Sequence, residues 1–182
     1  MRAGRPKFYW DAAPLIAWIK DEKRQDPGEM SGLADVIEMA DEGEAIIMTS
    51  VLWRAEVLTE SMTAGQKRRL LEAFNGRSMI ELQIDSRVMD LAAEIRINQQ
   101  KSPKKDVIKQ IRIPDAIHLA SAIHYGATEF HTFDGAKQSG NIGKLLTLSG
   151  NVAGYPLKIC TPKADQFRLH FPSVNHPGEA ED

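Results

Sequence analysis

The sequence predicts an α/β domain on a mainly parallel sheet, and three observations predict it. Short strand-like runs alternate with longer helical runs, the pattern of repeated β–α units. The 182 residues, 42% hydrophobic and 26% charged, match an ordinary globular chain long enough to bury a core without staples. Acids follow directly on strand-like runs: Asp11 after KFYW, and Asp134 after the run ending HTF. Open parallel sheets bind ligands at the carboxyl ends of their strands, so these acids are predicted to share one edge.

The elements follow in order. Residues 7–10 are compact and aromatic, a first strand. AAPLIAWIKDE follows as a helix, with Pro14 tolerated in its first turn. Residues 21–29, DEKRQDPGE, read as a charged loop. A second helix is predicted over 32–41, with Leu33, Val36, Ile37 and Ala40 on one face. Residues 44–49 form a second strand, and Ser50 is the expected N-cap of the helix SVLWRAEVLTESM. A helix over 65–74 carries the basic run KRR, and 78–84 is a third strand. Asp85 is placed to cap a helix running toward Ile97. The polar, basic segment 98–112 reads as a loop. Residues 113–126 form a helix with Gly126 suited to its C-terminal cap. Residues 128–133 are a fourth strand, 145–148 fit no class, and 157–160 close the sheet. The expected division is a domain over 1–162 and a polar, Pro-rich tail or arm over 163–182.

Charge and composition exclude several classes. A formal net charge of −2 and a pI near 6.2 give no global signature for nucleic acid, so such binding needs a local basic patch or metal ions. The single cysteine, Cys160, rules out an intrachain disulfide and reads as a small buried hydrophobe. No apolar run approaches the ~18 residues of a membrane span, and none follows the basic start MRAGRPK. The expected address is the cytoplasm.

Four acids stand in apolar surroundings: Asp11, Glu56, Asp115 and Asp134. Singly, each has an ordinary explanation as a helix-start, turn or ion-paired residue. Together they form a pattern, because two lie at strand ends and one at a helix start. Converging carboxylates repel and raise one another's pKa, and a divalent cation removes that cost. Oxygen donors without a His or Cys cluster suit Mg²⁺ or Mn²⁺ rather than Zn²⁺. Such a site fits phosphoryl chemistry on a phosphodiester.

In order, YWDAAPLIAWI, TSVLWRAEVL, PDAIHLASAIHYGA and HTFD resemble the four acidic motifs of PIN-domain ribonucleases, and most closely the VapC-type toxins of toxin–antitoxin modules. The resemblance covers roughly residues 7–160. It implies a three-layer α/β/α sandwich whose acids bind Mg²⁺ or Mn²⁺ and cut single-stranded or structured RNA. Asp11, Glu56, Asp115 and Asp134 match the four catalytic acids, with Asp11, Asp115 and Asp134 as metal ligands. Thr132, two positions before Asp134, matches a supporting hydroxyl. The resemblance also implies a homodimer and a protein antitoxin laid along a groove. One departure stands out: the family follows its first Asp with Thr or Ser, and here Ala12 and Ala13 follow.

His118 lies one helical turn after Asp115 and could orient that carboxylate; packing beside the sheet is the plainer expectation. His124 and His131 have no metal-site spacing. Candidate phosphate contacts are Lys101, Lys104, Lys105, Lys109 and Arg112, in the segment entering Asp115, with Lys67, Arg68 and Arg69 as a second basic run. A haloacid-dehalogenase-like phosphohydrolase is excluded, because it needs a second Asp where Ala13 stands. The remaining alternative is a catalytically weak PIN-like module that binds RNA or protein without cutting.

Overall fold

The computed structural model describes residues 4–24, 26–76, 79–101, 111–135 and 145–162. In chain order the elements are β1 (Lys7–Trp10), α1 (Ala12–Lys20), α2 (Pro27–Asp41), β2 (Ile46–Ser50), α3 (Trp53–Val57), α4 (Ala64–Asn75), β3 (Met79–Leu82), α5 (Ser86–Gln100), α6 (Ile113–His124), β4 (Glu129–His131), a 3₁₀ turn (Leu146–Leu148) and β5 (Lys158–Cys160). The five strands form one parallel sheet in the order β3-β2-β1-β4-β5. β1 is central: the chain builds outward to β3 on one side, then returns to place β4 and β5 on the other. The switch in direction falls between β1 and β4, where ligand crevices form in such sheets.

Strand alternation builds the layers. Phe8 and Trp10 of β1 point to one face with Leu15, Leu33, Ile47 and Trp53; Tyr9 points to the other with Met48, Leu119 and Phe130. Helices α1 to α4 cover the first face, and α5 and α6 cover the second. This is the expected α/β/α sandwich. Full burial of each large side chain contributes about 1.5–3 kcal/mol.

Several boundaries differ from the sequence expectation. The second helix starts at Pro27, not residue 32, because Asp26 caps it through Gly28 N–H at 3.0 Å and proline suits a first helical turn. Ser50 is not a helix cap. It is the last, fully buried residue of β2, paired with Leu82, and α3 begins only at Trp53 with no side-chain cap. Helix α5 runs to Gln100, through part of the expected loop, because Ile95 and Gln99 continue its buried face. Strands β3 and β4 are shorter than expected. The unclassified 145–148 stretch becomes a 3₁₀ turn with Leu145 and Leu148 buried. Thr63 and Gln66 form a capping box on α4, and Asp85 caps α5 through Val88 N–H as expected. Gly126, just past α6, has φ +69, a conformation that favours glycine. The tail 163–182 lies outside the described residues.

Candidate metal and nuclease site

Asp11 leaves β1 and caps α1, its carboxylate accepting Ala13 N–H at 3.0 Å. That support comes from the backbone, while the hydroxyl that Thr or Ser would bring after Asp11 is absent at Ala12 and Ala13. Asp11 is only 8% exposed. Burial pushes its pKa up to about 7; His118, the Thr132 hydroxyl and the Ala13 amide oppose that, and the Asp115 charge adds to it. A carboxylate in this state lacks sufficient compensating charge.

The other acids arrive from different elements. Asp115 lies in the first turn of α6. Asp134 follows β4, and its N–H donates to Thr132 Oγ1 at 2.9 Å, so the buried Thr132 fixes the turn that carries it. Glu56 lies on α3, 28% exposed, and its Oε2 is 2.7 Å from His118 Nε2. Arg112, at the N-cap of α6, grips Asp115 bidentately at 2.8 and 3.0 Å. That pairing raises the guanidinium's pKa, and the Asp134 and Glu56 charges add to it. Asp11 therefore feels Asp115, and Arg112 feels Asp115, Asp134 and Glu56. The four acids share one electrostatic neighbourhood at the carboxyl edge of β1 and β4, and Arg112 is a cation standing in it.

The donor set fits a hard divalent ion. The carboxylates offer only oxygen, two are nearly buried, and Asp11 carries a raised pKa that a cation would relieve.

Other predicted residues fall elsewhere. His118 does not reach Asp115; it bonds Glu56, because on α6 it faces the gap between β1 and α3. Lys101 is the C-cap of α5. Lys104, Lys105 and Lys109 lie outside the described residues. In the second basic run, Arg68 pairs with Glu72 at 3.7 Å, and Arg69 pairs with Asp21 and stacks on Trp18. Sequence reasoning missed Tyr9 and Ser50, which hold His118. The available signal was that Tyr9, two residues before Asp11, must share its strand face.

A second cluster, Glu129, His131 and Cys160, brings three donor atoms within 4.8 Å of one another on β4 and β5. Its hydrogen bonds oppose metal binding. Trp10 Nε1–H, a donor only, donates to His131 Nδ1 at 3.1 Å, so Nε2 carries the ring proton and donates to Glu129 at 3.1 Å. Burial pushes the Cys160 thiol up to about 12, away from the thiolate a metal needs. Lys158 Nζ also donates to Glu129, at 2.6 Å. The cluster is a hydrogen-bonded charge network that closes one sheet edge. Burial pushes Glu129 up, but the bonds from His131 and Lys158 outweigh it and hold the group at about 2. The unfolded chain therefore binds more protons between pH 4.5 and 2. The network's stabilisation is present above pH 4.5 and is lost as pH falls through that window. Glu129→Gln is expected to flatten the acid limb of a urea-stability profile; an unchanged slope would contradict the assignment.

A parallel five-stranded sheet flanked by helices, with acids following β1 and β4, defines an open α/β fold with its candidate site at the switch point. The family model of the PIN domain matches residues 9–138, most of the described core, and the chain belongs to that family. PIN domains are generally metal-dependent nucleases, and PIN nucleases typically use divalent metals. Comparison with curated proteins gave no match. Among the described residues no helix is long and apolar enough to cross a membrane.

Proposed function

We propose that the chain is an Mg²⁺- or Mn²⁺-dependent endoribonuclease acting on single-stranded or structured RNA, and the toxin of a toxin–antitoxin pair. The observation that carries the reading is the nearly buried Asp11 at the end of β1, with Asp115, Asp134 and Glu56 delivered by the first turn of α6, the end of β4 and α3. Asp11, Asp115 and Asp134 would hold the ion, and Glu56 completes the cluster. Bound there, a divalent ion supplies a water of lowered pKa and offsets charge developing on the phosphoryl oxygens. Thr132 holds the backbone turn that carries Asp134. Arg112, 71% exposed, can exchange Asp115 for an RNA phosphate, whose geometry its planar fork also matches. Lys101, Lys104, Lys105 and Lys109 are the further phosphate contacts of this proposal.

A partner surface accords with the toxin reading. A groove of about 390 Å³ is lined by the apolar Trp18, Met30, Leu33 and Ile37, the acidic Asp21, Glu38, Asp41 and Glu42, and Arg69. Its apolar and mainly acidic lining suits an amphipathic, basic antitoxin segment. A homodimer in the cytoplasm completes the proposal.

The test is cleavage of a labelled single-stranded RNA with Mn²⁺ or Mg²⁺, with chelator, and with Asp115→Asn. Cleavage that needs the ion and is lost in the variant is the expected result. Mn²⁺ binding without cleavage of any RNA would favour the non-cutting module, and unchanged turnover in Asp115→Asn would overturn the site.

A further inference from the structure

A buried chain of polar groups runs behind the acidic site. Ser50 N–H donates to Tyr9 Oη at 3.1 Å. Tyr9 Oη lies 2.8 Å from His118 Nδ1, and His118 Nε2 lies 2.7 Å from Glu56 Oε2. Ser50 Oγ is 3.4 Å from the same Nδ1. Tyr9, Ser50 and His118 are each at most 2% exposed. With the ring neutral, one tautomer serves both nitrogens: Tyr9 O–H, whose oxygen accepts from Ser50 N–H, donates to Nδ1, and Nε2–H donates to the Glu56 carboxylate. The reverse tautomer would set a ring lone pair against a carboxylate.

Glu56 needs such a tether. Its helix α3 has five residues and no side-chain cap, too short to hold a side chain by its own stability. His118 reaches it from α6, one turn beyond Asp115. Tyr9 braces His118 from β1, two residues before Asp11 and on the same strand face. The two elements that deliver Asp11 and Asp115 therefore also fix Glu56.

We propose that His118, braced by Tyr9, is a positioning residue that sets the Glu56 carboxylate relative to the other three acids, acting through Glu56 and not by touching RNA. This rests on the nuclease reading for its consequence in turnover, but not for its geometry. The general pattern is familiar from sites in which a hydrogen bond orients a functional carboxylate, and losing such a partner typically costs roughly 10–100-fold.

The experiment has two arms. In the first, RNA cleavage with saturating Mn²⁺ is measured for His118→Ala, His118→Gln and Tyr9→Phe, with circular dichroism as the check on folding. His118→Ala is expected to lower kcat roughly 10–100-fold with KM little changed. His118→Gln, whose amide can replace the Nε2–H donor, should restore most of it, and Tyr9→Phe should show a smaller loss of the same kind. In a Glu56→Gln background, His118→Ala should add nothing further. A loss in that background as large as in the wild-type chain would overturn the proposal. In the second arm, ¹⁵N-histidine NMR follows the Nε2 proton, expected downfield and protected in the wild-type chain. Its resonance should move upfield in Glu56→Gln. A proton indifferent to Glu56→Gln would overturn the proposal even if no RNA is cut, whereas a proton that moves in a chain without nuclease activity would uphold the tether and refute only the nuclease reading.

Discussion

Asp11→Asn is expected to abolish RNA cleavage, by a factor on the order of 10² or more, without lowering the melting temperature of the metal-free protein. The two effects have one cause. Asp11 is nearly buried, its pKa is pushed up to about 7, and it lies close enough to Asp115 to feel that charge. A raised folded-state pKa means that the native chain binds more protons than the unfolded chain between pH 3.8 and 7. The ionised Asp11 therefore costs stability that grows as pH rises through this window and is fully felt above it. Asparagine keeps an oxygen to accept Ala13 N–H and removes the charge, so the metal-free variant should match or exceed the parent at pH 8. The parent should gain stability from Mn²⁺, about 2.7 kcal/mol at a hundredfold excess over Kd, and Asp11→Asn should lose most of that gain. Differential scanning fluorimetry at pH 6 and pH 8, with and without Mn²⁺, reads all of this. A parent shift no larger at pH 8 than at pH 6 would contradict the assigned role of Asp11.

Trp53→Ala should be the most destabilising single change near the site, costing about 3–5 kcal/mol. Trp53 is fully buried, stacks on Phe74 with ring centroids 4.7 Å apart, and donates its indole N–H to Glu81 at 2.7 Å. It is the anchor that pins the short α3 to the sheet, so its loss should also release Glu56 from His118. Neighbouring Arg54 offers the contrast. It too bonds Glu81, at 2.8 Å, but its side chain is 50% exposed, and Arg54→Ala should cost no more than about 1 kcal/mol. Urea denaturation of the two variants checks the pair. Equal midpoints would mean that the Glu81 contact, not burial of the indole, anchors the helix.

The legible parts of the fold were those written in local pattern. KFYW reads as a strand because its aromatic residues suit a pleated surface buried on both faces, and Asp85 reads as a cap because its carboxylate serves an amide three residues on. Pro27 was legible in principle: proline after aspartate marks a helix start, yet the surrounding charges made the stretch look like loop. Ser50 misled for the opposite reason. A serine before an apolar run resembles a cap, but pairing with Leu82 and the bond to Tyr9 keep it in the strand. Those contacts join residues 32 and 41 positions apart, and no local window contains them.

The sequence by itself determined the α/β class and picked out the four acids, because alternating periodicity and charge in apolar surroundings are local properties of the chain. Only the tertiary structure decided how those acids are served. It turned His118 toward Glu56 instead of Asp115, and set Arg112 on Asp115 with Asp134 and Glu56 nearby. It also left Glu129, His131 and Cys160 saturated by one another and by Trp10 and Lys158. The physical reason is that a side chain's partner depends on strand order and helix placement. Those are settled by burying both faces of the sheet at once, not by the neighbours of any one residue.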